Sequence, residues 1–393
     1  MFSKKMVQSI GSSSMIRAMF EEGERLRKLY GADKVYDFSI GNPDTEPPQS
    51  VRDAIIKYAS SNEPGEHRYM SNAGYSNVRK TIAESISKNS GISISDNNVV
   101  MTCGAAGGLN VSLKAILNPD DEVVVIAPFF MEYLSYIDNN NGKSVVIEAD
   151  TDTFEPNFTQ LIEKITKKTK AVIINSPNNP TGIVYSEKIL THLNDILLLK
   201  GKEFNTTIFV LSDEPYSKIV YDSVTVPSVL KFIKNSIIVN SFSKSLALPG
   251  ERIGYIAVSP LIDDHQTLSD IMVICNRILG FVNAPALFQK VVASTINEGV
   301  NVREYQNKRD LLFNGLIDIG FECIKPQGAF YLFPKSLIAD DVEFTKRASK
   351  YNLLFVPGSG FGCPGYFRLA YCVNIKTIEN SLPSFRSLYE EFK

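Results

Sequence analysis

Short runs of β-branched and other apolar residues alternate with stretches of helical spacing between residues 99 and 258. The runs that predict strands are residues 99–102, 123–126, 171–174, 207–211, 236–239 and 253–258. Runs of this length and composition are typical of strands that are buried on both faces of a sheet. Because helical stretches separate them, we predict an α/β fold with a mostly parallel sheet and right-handed crossovers.

The pattern changes after about residue 290. Residues 291–318 and 342–351 have helical spacing, while residues 328–333 and 366–371 have the composition of short strands. This mixture predicts a smaller α+β domain that closes over the large one. We therefore expect an N-terminal arm with part of the small domain at residues 1–45, a large domain at 46–285, and a small C-terminal domain at 286–393.

Composition and charge exclude several classes of protein. The 393 residues are 44% hydrophobic and 21% charged, which excludes a mainly disordered chain. Lys and Arg number 41 against 43 Asp and Glu, so the net charge of −2 predicts neither nucleic acid nor an anionic membrane as a partner. The five cysteines form no C-x-x-C pair, which favours a reducing compartment. No apolar run reaches the about 20 residues of a membrane span, so we expect a soluble, cytoplasmic protein without a metal site.

Residues that can bind a ligand or stiffen the backbone directly follow five of the predicted strands. They are Gly104, Phe129 and Phe130, Asn175 and Asn179, Asp213, and Ser241 with Lys244. In open parallel sheets, ligands bind outside the carboxyl ends of the strands. The five strand ends are therefore predicted to meet at one site, and this argument depends on no family.

Lys244 lies in the segment Ser241-Phe-Ser-Lys244, just after an apolar strand. A lysine at a buried strand end is costly unless it is neutral or paired, and a partly desolvated lysine with a lowered pKa suits Schiff-base chemistry. Arg252 and the neighbouring hydroxyls could bind a phosphate. The S-x-x-K pattern also occurs in serine acyl enzymes, but the K-T-G element of those enzymes is missing. An ordinary loop lysine is the remaining alternative.

Asp213 and Tyr216 belong to the segment Asp-Glu-Pro-Tyr that follows the fourth run. An aspartate there could face a protonated pyridine nitrogen, and Tyr216 could donate to a phenolate oxygen on the same ring. An ordinary turn is an equally good interpretation of this motif taken alone. The dense segment 175–182, with its prolines and asparagines, predicts a stiff loop from which Asn179 could donate to a ligand oxygen.

Three further features complete the set. The segment Gly104-Ala-Ala-Gly-Gly lies between a strand and a helix, where backbone N–H groups favour a phosphate, although the signal is weak and matches neither G-x-G-x-x-G nor a P-loop. Phe130 could stack on a flat ring, or it could simply belong to the core. Arg368 lies among apolar residues, where its planar guanidinium would need a carboxylate, from a ligand or from a structural salt bridge.

In this order and context, these residues resemble those of the fold type I enzymes that use pyridoxal phosphate (PLP), and more narrowly the class I/II aminotransferases of the aspartate aminotransferase family. The elements N-N-P-T-G, D-E-P-Y and S-F-S-K…G-x-R-x-G are specific in combination, and the resemblance runs from Ile40 to Arg368. It implies a large PLP-binding domain with a mostly parallel seven-stranded sheet sandwiched by helices, plus a smaller α+β domain.

The resemblance also implies roles for the residues around the PLP ring. Lys244 would hold the cofactor as a Schiff base and later move the proton between the substrate Cα and the cofactor. Asp213 would pair with the ring nitrogen, and Asn179 and Tyr216 would bond the 3′-oxygen of the ring. Phe130 would stack on the ring.

The phosphate and the substrate have their own implied partners. The residues implied to hold the phosphate are Ser241, Ser243, Arg252 and the backbone of Gly104, Ala105 and Ala106. Arg368 would bind the α-carboxylate of the substrate with help from the backbone of Gly41 and from Asn179. Tyr69 would reach the phosphate of the partner subunit, which implies a homodimer with shared active sites.

The function implied is transfer of an α-amino group from an L-amino acid to a 2-oxo acid, such as 2-oxoglutarate or pyruvate, with ping-pong kinetics. A PLP-dependent β-eliminating C–S lyase is the alternative on the same fold, because both reactions need the same site residues. A PLP-binding regulator without turnover is a third hypothesis, which no DNA-binding extension supports. For a second substrate carboxylate the sequence offers only Arg17 and Arg277 as guesses.

Overall fold

A seven-stranded sheet forms the centre of the molecule in the computed structural model, which describes residues 2–7 and 14–393 and, for residues 14–21 and 32, the backbone alone. The twelve strands of the described chain are β1 (Tyr36–Asp37), β2 (Val99–Thr102), β3 (Glu122–Ala127), β4 (Lys143–Glu148), β5 (Thr169–Asn175), β6 (Phe209–Asp213), β7 (Ser236–Ser241), β8 (Gly254–Val258), β9 (Tyr331–Leu332), β10 (Leu353–Leu354), β11 (Val356–Pro357) and β12 (Phe367–Ala370). The central sheet has the order β2-β8-β7-β6-β5-β3-β4. All its neighbouring strands are parallel except β8, which runs antiparallel to both β2 and β7.

The predicted α/β fold class and the mostly parallel sheet are confirmed. Each of the six predicted runs overlaps a strand of the sheet, and β4 is the strand that the apolar pattern does not predict. β4 lies at the edge, where it pairs with β3 alone, and only Ile147 of its six residues is buried. The apolar run of β4 is limited to Val145-Val-Ile147 and is partly exposed, whereas β2, at the other edge of the sheet, is buried at all four of its positions.

Helices cover the sheet and connect its strands. Their bounds are α1 (Ser14–Tyr30), α2 (Gln49–Ala59), α3 (Ser76–Ser90), α4 (Gly104–Ile116), α5 (Glu132–Asn139), α6 (Phe158–Lys164), α7 (Glu187–Phe204), α8 (Val229–Phe232), α9 (Phe242–Ser245), α10 (His265–Ile278), α11 (Ala286–Ser294), α12 (Val302–Ile319), α13 (Asp341–Ala348) and α14 (Ile375–Glu391). Short 3₁₀ turns lie at Ala32–Lys34, Asp96–Asn98, Pro249–Glu251, Ser349–Tyr351 and Gly358–Phe361. Within the part of the chain that the structure describes, no helix combines the length and apolar character that a membrane-spanning segment needs.

Local sequence sets the ends of several helices. The Ser186 side chain accepts a hydrogen bond from the backbone N–H of Ile189 at the start of α7, and Asn205 ends that helix in the left-handed conformation. The side chain of Asp340 likewise accepts from the N–H of Glu343 at the start of α13. Such caps satisfy backbone groups that a helix end leaves without an intrahelical partner.

The sheet is buried on both faces, and the carboxyl ends of its parallel strands lie side by side. Along β5, Val172 and Ile174 belong to one core cluster, while Ala171 and Ile173 belong to the cluster on the opposite face. In the ladder between β5 and β6, Asn175 lies opposite Asp213. β7 lies next to β6 and ends at Ser241. The last residues of three adjacent parallel strands therefore meet at one edge.

A second, aromatic-rich core lies under two small sheets. β11, β12 and β9 form an antiparallel sheet, and β1 pairs in parallel with β10. Phe38 belongs to this second core, so residues near the N-terminus pack with the C-terminal part of the chain. Helix α11 instead places Val291 and Val292 in the core of the central sheet. The division at residues 45 and 285 stays a prediction, and residues 1 and 8–13 of the predicted arm lie outside the described residues.

Gly254 offers a test of how closely β8 approaches its neighbours. A Cβ atom there would collide with the carbonyl oxygen of Asn240 on β7 and would lie 3.0 Å from the Cα atom of Gly104, whereas a Cβ at Gly250 would meet no heavy atom within 4 Å. We expect Gly254→Ala to lower the free energy of unfolding by about 1–3 kcal/mol, because backbone atoms cannot move aside as a flexible side chain can. Urea unfolding measures the change, with Gly250→Ala as the matched control. Equal stability of the two variants would contradict the packing described.

Candidate active site

A cavity of about 380 Å³ lies at the carboxyl ends of β5, β6 and β7. The structure brings most of the residues named from the sequence to its wall. Those that line it are Gly41, Ala105, Ala106, Phe130, Asn179, Asp213, Tyr216, Ser241, Ser243, Lys244, Arg252 and Arg368. Gly104 does not line the cavity but lies close to the guanidinium of Arg252. Tyr69 does not line the cavity, and its side chain is 90% exposed.

Lys244 lies in α9, the helical turn that directly follows β7. Its Nζ atom donates a hydrogen bond of 2.8 Å to the carbonyl oxygen of Gly41 and lies 5.3 Å from the centroid of the Phe330 ring. Burial lowers the pKa of Lys244 to about 8, and the nearby guanidinium groups of Arg368 and Arg252 also lower it. About a tenth of this amine is therefore neutral at pH 7, far more than for an exposed lysine, and a neutral amine can act as a nucleophile or a base.

Asp213, the last residue of β6, is buried with one carboxylate oxygen unpartnered. Its Oδ2 atom accepts a hydrogen bond of 2.6 Å from the Tyr133 hydroxyl, while Oδ1 has no hydrogen-bond partner among the described residues. Burial raises the pKa of Asp213 to about 6, and the hydrogen bond from Tyr133 opposes this rise. A buried acceptor without a partner is costly, so Oδ1 suits an N–H group supplied by a ligand.

Arg368 extends from β12 and is also buried. Nη1 donates to Oδ1 of Asn179 at 3.1 Å and Nη2 donates to the carbonyl oxygen of Ser39 at 2.7 Å. The centre of the guanidinium lies 4.7 Å from the ring centroid of Tyr331 and 4.8 Å from that of Phe361. Its Nε atom has no partner in the described part of the chain. Rings on its faces and hydrogen bonds at its edge fix the guanidinium plane, which suits a carboxylate ligand.

The loop after β5 is tied to the end of β6. The Asn175 side chain donates to the backbone carbonyl of Asp213 at 2.7 Å, and its oxygen accepts from the backbone N–H of Asn179 at 2.7 Å. On the other side of the cavity, the hydroxyl groups of Tyr216 and Tyr331 are hydrogen-bonded at 2.9 Å. Burial raises the pKa of Tyr216 well above its usual value, so its hydroxyl is protonated and can donate a hydrogen bond.

Hydroxyl, guanidinium and backbone N–H groups meet at one end of the cavity. The hydroxyl oxygens of Ser241 and Ser243 lie 2.6 Å apart, and Ala105 is in the first turn of α4. The guanidinium of Arg252 approaches Gly104 so closely that a Cβ there would lie 2.8 Å from Nη2, and Gly104 has a φ of +74°. The positive φ therefore favours glycine at this position. Such a donor set at a helix N-terminus suits a phosphate group.

The motifs did not identify three contributors to the site. Tyr133, Tyr331 and the carbonyl of Ser39 contact Asp213, Tyr216 and Arg368 respectively. The Phe130 ring meets the Tyr133 ring edge to face, with 5.6 Å between the centroids. The spacing of Tyr133 from Phe130, three positions at the start of a helix, could have suggested that both lie on one face. No local signal marks Tyr331 or Ser39.

The comparisons with known proteins agree on one family. The family model described as aminotransferase class I and II matches residues 33–384. A probable aspartate aminotransferase of Methanocaldococcus jannaschii is 33% identical over 362 residues, which cover 90% of this chain and 93% of the relative. The aspartate aminotransferase of Bacillus subtilis is 31% identical, with 93% of each chain covered.

Solved structures give the same result. The crystal structure of an aminotransferase from Eubacterium rectale has a TM-score of 0.97 at 40% identity and covers 100% of both chains. The aspartate aminotransferase of Thermus thermophilus solved with maleate has a TM-score of 0.84 at 26% identity and covers 95% of this chain and 96% of that one.

The hydrogen bond from Tyr133 to Asp213 allows a prediction about the pKa of Asp213. The raised pKa of Asp213 means that its contribution to the stability of the ligand-free protein is present below about pH 4 and is lost as the pH rises through about 6. Tyr133→Phe removes the group that favours the ionised carboxylate, so we expect the pKa of Asp213 to rise further. Infrared difference spectra, with Asp213→Asn to identify the band, measure this pKa. The control is Tyr136→Phe, and an unchanged pKa in Tyr133→Phe would contradict the prediction.

Proposed function

The chain belongs to the class I and II aminotransferases, a family that uses PLP to transfer amino groups, and on that basis we propose that the cavity around Lys244 is its active site. The protein is an aminotransferase and hence moves an amino group between an amino acid and a 2-oxo acid. One observation carries the assignment of the site: the amine of Lys244 and the unpartnered Oδ1 of Asp213 line the same cavity.

The residues of the cavity fit PLP at each of its functional groups. The unpartnered Oδ1 of Asp213 would accept from the ring nitrogen, and Asn179 and Tyr216 would bond the 3′-oxygen. Phe130 would lie on the ring face. The residues proposed to hold the phosphate are Ser241, Ser243, Arg252, Gly104, Ala105 and Ala106. When bound, PLP supplies an aldehyde that condenses with amines and an aromatic ring that draws electrons from the substrate Cα.

The chain's own groups carry out the proton transfer and the positioning. The Lys244 amine is partly neutral because burial lowers its pKa to about 8. It would take the proton from the substrate Cα and move it to the cofactor. Arg368, with the Gly41 backbone and Asn179, would hold the α-carboxylate so that the Cα–H bond faces Lys244. Burial of Asp213 and Tyr216 limits access of water to this side of the cavity.

We propose an L-amino acid as the donor and 2-oxoglutarate or pyruvate as the acceptor. The relatives' names make aspartate the first donor to test. The cations that line the cavity, within the described residues, are Lys244, Arg252 and Arg368, and each already has a proposed partner. Arg277 is exposed and does not line the cavity, while the side chain of Arg17 lies outside the described residues. A panel of twenty amino acids therefore tests whether neutral donors react as well as aspartate.

We also propose a cytoplasmic homodimer. Tyr69, with its exposed ring, is available to reach the phosphate in a partner subunit. Analytical ultracentrifugation measures the mass in solution and so tests for the dimer. All five cysteines are free, which favours a reducing compartment. The β-eliminating lyase gains no support from the relatives, whose names are those of aminotransferases.

Lys244→Ala tests the assignment of the catalytic amine. Proton transfer by a positioned side chain typically contributes about 10²–10⁴-fold to a rate, so we expect transamination to fall at least that far. Borohydride reduction of the wild-type holoenzyme followed by peptide mapping should label Lys244. The control is Lys335→Ala, which alters a lysine exposed at the surface and paired with Glu322. Normal turnover by Lys244→Ala, or a label on another residue, would refute the assignment.

Arg368→Ala tests the carboxylate site. A hydrogen bond to a charged group is worth about 1.5–3 kcal/mol, so losing the guanidinium should raise KM for the amino donor at least about tenfold. PLP should remain bound, as its absorbance will show. Arg368→Lys should be intermediate because an ammonium cannot form two parallel hydrogen bonds, and exposed Arg386→Ala is the control. If Arg368→Ala lost PLP and left KM unchanged, the assignment of Arg368 to the substrate carboxylate would be wrong.

A further inference from the structure

Four consecutive backbone carbonyls of the 38–45 segment face the active site and the strand that carries Arg368. Phe38 O accepts from the backbone N–H of Ala370 at 2.8 Å, and Ser39 O accepts from Arg368 Nη2 at 2.7 Å. Ile40 O accepts from the Cys372 thiol at 3.8 Å, and Gly41 O accepts from Lys244 Nζ at 2.8 Å. The 38–45 segment therefore sets the positions of two functional side chains through its main chain.

Beyond Gly41, side chains hold the segment in place. In the described chain, residues 42–47 make no backbone–backbone hydrogen bond. Asp44 accepts from Lys308 Nζ at 2.6 Å, and the hydroxyl of Thr45 lies 3.0 Å from that of Tyr305. Both partners lie on helix α12, one turn apart. A third contact, from Arg52 on α2 to Glu46 at 2.7 Å, joins two exposed side chains. Position in this part of the segment thus depends mainly on the two side-chain contacts with α12.

Lys308 is the stronger of these two anchors. It is only 3% exposed, and its amine pairs with Asp44 and, at 3.0 Å, with Glu304 on its own helix. Lysine is almost never buried this deeply unless it is paired. Burial alone would lower the pKa of Lys308, but the hydrogen bonds to Asp44 and Glu304 outweigh this and raise it. The amine is therefore charged throughout the physiological range.

Helix α12 is also connected to Lys244 through packed aromatic rings. The ring of Tyr305 packs on that of Phe330, with 5.5 Å between centroids. Phe330 in turn lies under the Lys244 amine at 5.3 Å. Displacement of the 38–45 segment from α12 would thus change the surroundings of Lys244 on one side and leave the Phe330 side in place.

We propose that Lys308 is a positioning residue for amino-group transfer, which by binding Asp44 holds the carbonyls of Ser39 and Gly41 against Arg368 and Lys244. This inference rests on the proposed function of the cavity. A lysine that served the helix alone would act mainly through Glu304, its neighbour four residues earlier. The two roles therefore predict different results when each carboxylate partner is removed.

The experiment compares four variants of the holoenzyme. Lys308→Met and Asp44→Asn break the anchor, Lys308→Arg keeps a cation within reach of Asp44, and Glu304→Gln removes only the intrahelical partner. Hydrogen exchange of the peptide that contains residues 38–46 should accelerate at least about tenfold in the first two variants. KM for the amino donor should rise about tenfold in the same two variants, more than kcat falls, because the carbonyl of Ser39 no longer holds the Nη2 edge of Arg368 in place. Lys308→Arg and Glu304→Gln should stay within about twofold of wild type.

Each alternative outcome has a distinct meaning. Unchanged exchange and KM in Asp44→Asn would overturn the proposal, and so would equal effects of Glu304→Gln and Asp44→Asn. If Lys308→Met fails to fold, Asp44→Asn decides the question, because it leaves the charge on the helix. If wild type transaminates none of twenty amino acids, the proposed function fails, while hydrogen exchange still tests whether Lys308 holds the 38–45 segment.

Discussion

The rest of the site depends on the partial burial of one amine, that of Lys244. Its charged form is disfavoured where water is excluded, and its pKa is lowered to about 8. A sheet buried on both faces creates this environment, because its carboxyl-end edge is where the polar strand ends meet a cavity. The carbonyl of Gly41 and the ring of Phe330 then determine the direction in which the amine points.

Burial acts in opposite directions on the two ionisable groups at the centre of the cavity. It lowers the pKa of Lys244 and raises that of Asp213 to about 6, since in both cases the neutral form is favoured. The charges of both groups therefore depend on what binds beside them. A ligand N–H at the unpartnered oxygen of Asp213 would favour the ionised carboxylate, as the Tyr133 hydroxyl already does at the other oxygen.

The buried charged side chains of helix α12 and those of the cavity differ in whether their hydrogen bonds are complete. On helix α12, Lys308 is paired with Asp44, and Arg309 is paired with Asp222 at 2.7 Å. In the cavity, Asp213 Oδ1 and Arg368 Nε have no partner among the described residues. Paired buried charges fit a structural role, because the protein itself repays their desolvation. Unpartnered atoms at the wall of a cavity are the ones that a bound molecule can satisfy.

The sequence by itself determined six of the seven strands of the large sheet and the polar residues at the ends of several of them. Strand length, β-branched composition and the position of Asp213 or Lys244 after an apolar run are local properties, and a parallel sheet converts them into a shared edge. The family motifs added roles for these residues, which remain proposals. β4 escaped prediction although it contains the short apolar run Val145-Val-Ile147, of which only Ile147 is buried.

Only the tertiary structure decided which groups complete the site. Tyr133 meets Asp213 across 80 positions of the chain, Tyr216 meets Tyr331 across 115, and Lys244 meets Gly41 across 203. Contacts over such separations depend on how the layers pack, and no local pattern encodes that packing. The same holds for the antiparallel direction of β8, which its apolar run does not specify, and for the ion pair between Asp44 and Lys308. Each of these residues is ordinary in its own segment, and it acquires its role only when folding brings its partner into contact.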